Sequence, residues 1–194
     1  MADTFALYLR LGFLHITDLA GYDHLLFVAA LSIPFTIRDW RRLAWLVTAF
    51  TVGHSITLAL ASLRLVTVSP SLIEALIPAT IVATAALSWP ADVPADAPVR
   101  RSRYLLAATF GLIHGLGFSS YLRALLGNEE SIALPLLGFN VGLEVGQLLI
   151  LAAVLAVGAL LVPAILSRRR WVRTLVGVTG GLALMLLGQR LGTL

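Results

Sequence analysis

The sequence predicts an all-α integral membrane protein, a single domain built as a bundle of about six transmembrane helices. Three observations predict it. The 194 residues are 59% hydrophobic and only 12% charged, with mean hydropathy +0.93, which is too little charge to cover a soluble domain of this size. The apolar runs are continuous rather than alternating, so helices fit and a closed barrel does not. Arginines gather in every second connection between those runs, the pattern of a polytopic chain.

The elements follow in order. The first span is expected at 13–37. The polar residues scattered through 5–17 add an interfacial or re-entrant helix leading into it. Arg38-Asp39-Trp40-Arg41-Arg42 separates it from the second span, 43–63. The third, 72–89, is followed by a Pro/Ala/Asp linker that ends in Arg100-Arg101-Ser102-Arg103, and the fourth covers 104–126. The acidic turn Gly127-Asn128-Glu129-Glu130-Ser131 leads to the fifth, 132–166, which is longer than a bilayer needs; it tilts, or its outer part lines a polar vestibule. Arg168-Arg169-Arg170 precedes the sixth, 171–191.

All fourteen basic side chains are arginine, and ten of them lie in or beside three alternate connections. The positive-inside rule then puts those three loops in the cytoplasm and both termini outside a bacterial-type cytoplasmic (inner) membrane, with Trp40, Trp89 and Trp171 at cytoplasmic span ends. The excess charge is therefore topological and implies the lipid bilayer, not nucleic acid, as partner. No cleavable signal peptide is expected, because Asp3 and no basic region precede the first apolar stretch. The absence of cysteine excludes disulfides and thiolate ligands. Two methionines argue against a soft Cu(I) site.

Ionisable groups within hydrocarbon are costly and mark function by default. Counted from the cytoplasmic ends at about 1.5 Å per residue, His24, His54 and His114 all lie near the middle of the bilayer, on three different helices. That is the disposition a metal site in a bundle needs. Asp23 adjoins His24 as a ligand or orienting group. His15 and Asp18 lie further out on the first segment. Asn140, Glu144 and Gln147 share one face of the fifth span at i, i+4 and i+7. If that face meets the first helix, Glu144 joins His15, Asp18 and Asp23 in an acidic funnel open to the outside. Thr48, Thr51 and Ser55 offer hydroxyls to orient His54. Gly138, Gly142 and Gly146, and Gly111 and Gly115, form small-residue stripes for close helix packing. A lone buried histidine is equally a hydrogen-bonding group between helices, and Glu144 is equally a partner for Arg10 or Arg123. Glu74 and Arg64 lie near the outer boundary, can snorkel, and receive no role.

Four stretches resemble the HupE/UreJ family of hydrogenase and urease accessory membrane proteins. They are Gly21-Tyr22-Asp23-His24-Leu25-Leu26-Phe27, Thr48-Ala49-Phe50-Thr51-Val52-Gly53-His54-Ser55-Ile56-Thr57-Leu58, Phe110-Gly111-Leu112-Ile113-His114-Gly115-Leu116-Gly117-Phe118 and Phe139-Asn140-Val141-Gly142-Leu143-Glu144-Val145-Gly146-Gln147. The resemblance implies a nickel or cobalt permease that supplies metalloenzyme maturation proteins. It also implies that His24, Asp23, His54, His114 and Glu144 are ligands or relay groups. The His-Pro-x-x-Gly-x-Asp-His pattern of the better-studied members of that family is altered here: Ile16 follows His15, which stands nine residues before His24, so the chain resembles a side branch of the family.

The leading reading is a permease or accessory protein for a divalent ion, Ni, Co or Zn, between which imidazole and carboxylate ligands do not choose. The alternative is an intramembrane zinc metalloenzyme acting on a lipid or lipoprotein, with Asp23 or Glu144 as general base. It lacks a helix motif such as HExxH. A sensor or assembly partner is a third reading.

Overall fold

The computed structural model describes residues 2–89, 99, 101–127 and 131–192. Most of the Pro/Ala/Asp linker, Arg100 and the acidic pair Glu129 and Glu130 lie outside the described residues. Among those described, the chain is helical throughout: α1 (Ala2–Thr17), α2 (Asp23–Ser32), α3 (Trp40–Ser62), α4 (Pro70–Leu87), α5 (Arg101–Leu125), α6 (Ala133–Ala164) and α7 (Arg168–Leu191), with a 3-10 turn at Ile37–Asp39 before α3. Five helical stretches are long and apolar enough to cross a bilayer, namely Ile37–Ser62 and the four helices from α4 to α7.

The first segment differs from expectation. No single helix covers 13–37; α1 and α2 are separated by the residues 18–22. Hydropathy continues across this break, but local hydrogen bonding does not. Thr17 Oγ1 bonds back to the Phe13 carbonyl (2.7 Å). Asp18 Oδ1 accepts from the Ala20 amide (2.9 Å) in a turn of its own. Asp23 then opens α2, accepting from the His24 amide (2.8 Å). Asp, Ser and Thr side chains that bond nearby backbone in this way stop helices and cap new ones. The N-terminal helix foreseen from 5–17 is thus present, joined to a short α2 rather than to a full span.

Elsewhere the ends are set by ordinary signals. Pro70 occupies the first turn of α4, where its missing N–H costs nothing. Ser167 caps α7 by accepting from the Arg170 amide (3.3 Å). α3 ends on Arg64 at φ 61, a left-handed position that usually takes glycine. Arg168 Nη2 donates to the carbonyls of Ile33 (3.0 Å) and Phe35 (2.7 Å), fastening the chain beyond α2 to the start of α7.

Three packing groups result. α1 lies along α6, α3 along α5, and α4 along α7 with α2 against both. Glycines bring the first two pairs together. A Cβ on Gly12 would overlap the Phe139 carbonyl, one on Gly142 the Leu9 carbonyl, one on Gly53 the Ala108 carbonyl and one on Gly111 the Phe50 carbonyl. Helix backbones approach this closely only where both faces are small. Two apolar clusters fill the bundle. One centres on Phe27, Ile33, Leu43, Phe50 and Ile81, and the other on Tyr8, Ile16, Leu58, Leu122 and Phe139. Arg168 against Phe35 and Arg103 over the Phe35 ring place the starts of α5 and α7 at one arginine-rich end. The Tyr8 to Leu125 hydrogen bond and the Arg190–Glu74 ion pair mark the opposite end.

Candidate metal centre

The two apolar clusters meet around histidine. His24, His54 and His114 are buried, at 7%, 0% and 1% exposure. They come from two of the three packing groups: His24 from α2, and His54 and His114 from the α3–α5 pair. His15, from α1, joins them. Its ring centroid lies 4.7 Å from that of His24, edge-on, and His24 lies 5.6 Å from His114. All four rings are within electrostatic reach of one another. Phenylalanines close the chamber: Phe27 and Phe50 lie 5.2 and 5.1 Å from His114, Phe118 4.0 Å from His15, and Phe139 6.3 Å from His54.

The hydrogen bonds of two rings fix their tautomers. His114 Nδ1 lies 2.7 Å from the Phe110 carbonyl. A carbonyl only accepts, so Nδ1 carries the proton and Nε2 keeps a lone pair. His24 Nδ1 is likewise paired with the Asp23 carboxylate (2.9 Å), leaving its Nε2 lone pair exposed to the chamber. An imidazole whose second nitrogen is tied to an oxygen acceptor is the arrangement that orients metal-binding histidines. The free nitrogens find nothing else. His15 Nε2, His24 Nε2 and His114 Nε2 are buried without a hydrogen-bond partner among the described residues. His54 and Asn140 Oδ1 are also without a well-aligned bond, but stand within hydrogen-bonding reach of each other, which accounts for one His54 nitrogen and leaves the other free. Buried polar atoms left unpaired cost about 1–3 kcal/mol each, and such a concentration calls for an electrophile that they can share. As placed, no three His, Asp or Glu side chains among the described residues stand close enough to hold one ion. The chamber is a gathering of donors rather than a closed shell.

Other expected residues go elsewhere. The face of Asn140, Glu144 and Gln147 meets α3, not α1. Thr48 donates to Glu144 (2.5 Å) and Thr51 to Gln147 (2.8 Å), while Asn140 Nδ2 donates to the Leu136 carbonyl (2.8 Å). Those threonines therefore serve the carboxylate and the amide, and Ser55 bonds the Thr51 carbonyl (2.7 Å); none of the three orients His54. Glu144 pairs with a hydroxyl, not with Arg10 or Arg123. Asp18 is exposed and committed to its turn. The funnel of His15, Asp18, Asp23 and Glu144 is therefore not formed: Glu144 is on the α3 side and Asp18 faces out.

A different polar cavity exists beside Asp23, which the sequence alone did not reveal. Asp23, Tyr22 and Gly21 at the break, with Glu74 and Pro78 of α4 and Arg190 of α7, line a cavity of about 100 Å³. Glu74 pairs with Arg190 (2.9 Å) there, both side chains about half exposed. Glu74 and Arg190 stand 51 and 167 positions from Asp23 in the sequence, so no local spacing announces it. The phenylalanine lining was more accessible: Phe50 stands one turn before His54 and Phe118 one turn after His114.

A family model described as HupE / UreJ protein matches residues 1–190, nearly the whole chain. Comparison with curated proteins and with solved structures finds no significant match.

Proposed function

The chain belongs to the HupE/UreJ family, and from that membership we propose that it carries a divalent transition-metal ion, nickel or cobalt before zinc, across a bacterial-type cytoplasmic membrane. The single observation that carries this reading is the set of four buried imidazoles, each with a nitrogen left free, gathered from three packing groups. Borderline cations of this kind favour imidazole with a few carboxylates.

In this reading the arginine-rich end faces the cytoplasm and both termini face out. The ion enters beside Asp23 and Glu74, sheds water against their carboxylates and passes to the Nε2 atoms of His24 and His114, with His15 and His54 completing the donor set. Asp23 orients His24 and offsets part of the charge. The interruption between α1 and α2 supports transport, because carriers place broken helices beside their midplane sites. Protonation of the Nε2 lone pairs competes with the metal, so acidification on the side of release aids departure. Glu144, tied to Thr48, positions α3 against α6 rather than binding the ion. Metalloenzyme maturation proteins are the acceptors that this role implies.

Proteoliposomes with an internal metal-sensitive dye test the proposal. Saturable nickel or cobalt uptake is expected, falling at least tenfold in His54→Ala and in His114→Ala. A tightly retained zinc with no flux in the unaltered protein would overturn transport in favour of an intramembrane enzyme.

A further inference from the structure

At the arginine-rich end, a second cavity of about 390 Å³ opens between the chain beyond α2 and the last turns of α6. Its wall is apolar, formed by Val154, Leu155 and Val162 of α6, with Trp171 of α7 packed over Gly158. Its rim carries Arg38 and Arg168. We propose that this cavity is a binding site for an anionic phospholipid, with one acyl chain along α6 and the phosphodiester between the two guanidinium groups.

Three observations argue for that occupant. The first is depth. Val154 and Pro163 are nine residues apart, about 13 Å along a helix, so the cleft runs from the level of the arginines well into hydrocarbon. A free anion has no use for an apolar cleft of that reach, whereas an acyl chain does. The second is charge. Nine described arginines crowd this end, at positions 38, 41, 42, 101, 103, 168, 169, 170 and 173. The described carboxylate among them, Asp39, is already engaged by Arg42 (3.0 Å) and Thr36 (2.9 Å). Arg38 makes no hydrogen bond or ion pair among the described residues, and Arg168 uses one nitrogen, Nη2, on two carbonyls, which leaves the rest of its guanidinium for a phosphate. The third is the indole of Trp171 at the boundary, where amphipathic rings settle between headgroup and chain. Basic pockets between helices at this level favour anionic over zwitterionic headgroups. The inference stands independently of the metal reading.

The full chain, purified and stripped of lipid, would be followed by native mass spectrometry with phosphatidylglycerol, with phosphatidylcholine of the same acyl chains, and with inorganic phosphate. One phosphatidylglycerol should be retained in preference to either alternative. Arg38→Gln, at an exposed position, should weaken retention about fivefold, the value of one basic contact of about 1 kcal/mol. Ala159→Phe, which places a ring in the cleft and leaves both arginines intact, should weaken it by at least as much. Equal retention of phosphatidylcholine, displacement by inorganic phosphate at matching concentration, or retention unchanged in both variants would overturn the proposal.

Discussion

His24 shows what one carboxylate does for a buried ring. Its Nδ1 proton is held by Asp23, so the other nitrogen is presented as a lone pair in a fixed direction. Removing an orienting partner of this kind typically weakens metal binding 10- to 100-fold. Asp23→Asn should therefore lower nickel or cobalt affinity by that factor in calorimetric titration, while Asp18→Asn, which alters only the turn at Ala20, should leave it unchanged. Equal losses in both would mean that general surface charge, not the orienting bond, sets affinity. The histidines and Asp23 were legible because ionisable side chains inside apolar runs are conspicuous. Glu144 was equally conspicuous, and its destination was not, since a helical face says which residues travel together and not which neighbour they meet. Glu74 was passed over because a carboxylate at a span end has a solvated explanation at hand.

Among the elements, the glycines separate into two kinds that a sequence does not distinguish. Gly53 and Gly142 face carbonyl oxygens of a parallel neighbour, while Gly177 and Gly181 on α7 have nothing within 4 Å of a would-be Cβ. Gly53→Ala and Gly142→Ala should each destabilise by about 1–3 kcal/mol, the usual cost of overpacking. Gly181→Ala should instead stabilise by about 0.5–1 kcal/mol through helix propensity. Unfolding in mild detergent would read all three, and a uniform response would show that close approach is not what holds these helix pairs. The stripes at Gly138, Gly142 and Gly146 and at Gly111 and Gly115 were visible in advance. The break at 18–22 was not, because periodicity and hydropathy average over five residues, whereas the helix is ended by individual bonds from Thr17, Asp18 and Asp23.

On the scale of the whole molecule, the helical class and the approximate number of spans were written in composition and in the alternation of arginines, which need no contacts to be read. The absence of native cysteine makes the orientation directly testable. Ser71→Cys, at the start of α4, should react with an impermeant maleimide in intact cells, and Ser102→Cys, at the start of α5, only after permeabilisation; the reverse pattern would invert the topology. What composition left unsaid is how the helices divide into companies. His15 rides on the α1–α6 pair, His54 and His114 on the α3–α5 pair, and His24 on α2 with α4 and α7. Each company is internally braced, and the donors sit on the seams between them. Sliding one company an ångström or two past its neighbour would leave every helix intact and yet change how many nitrogens reach the same point. In the proposed role, coordination number rather than the bore of a channel is the variable that such a slide would control.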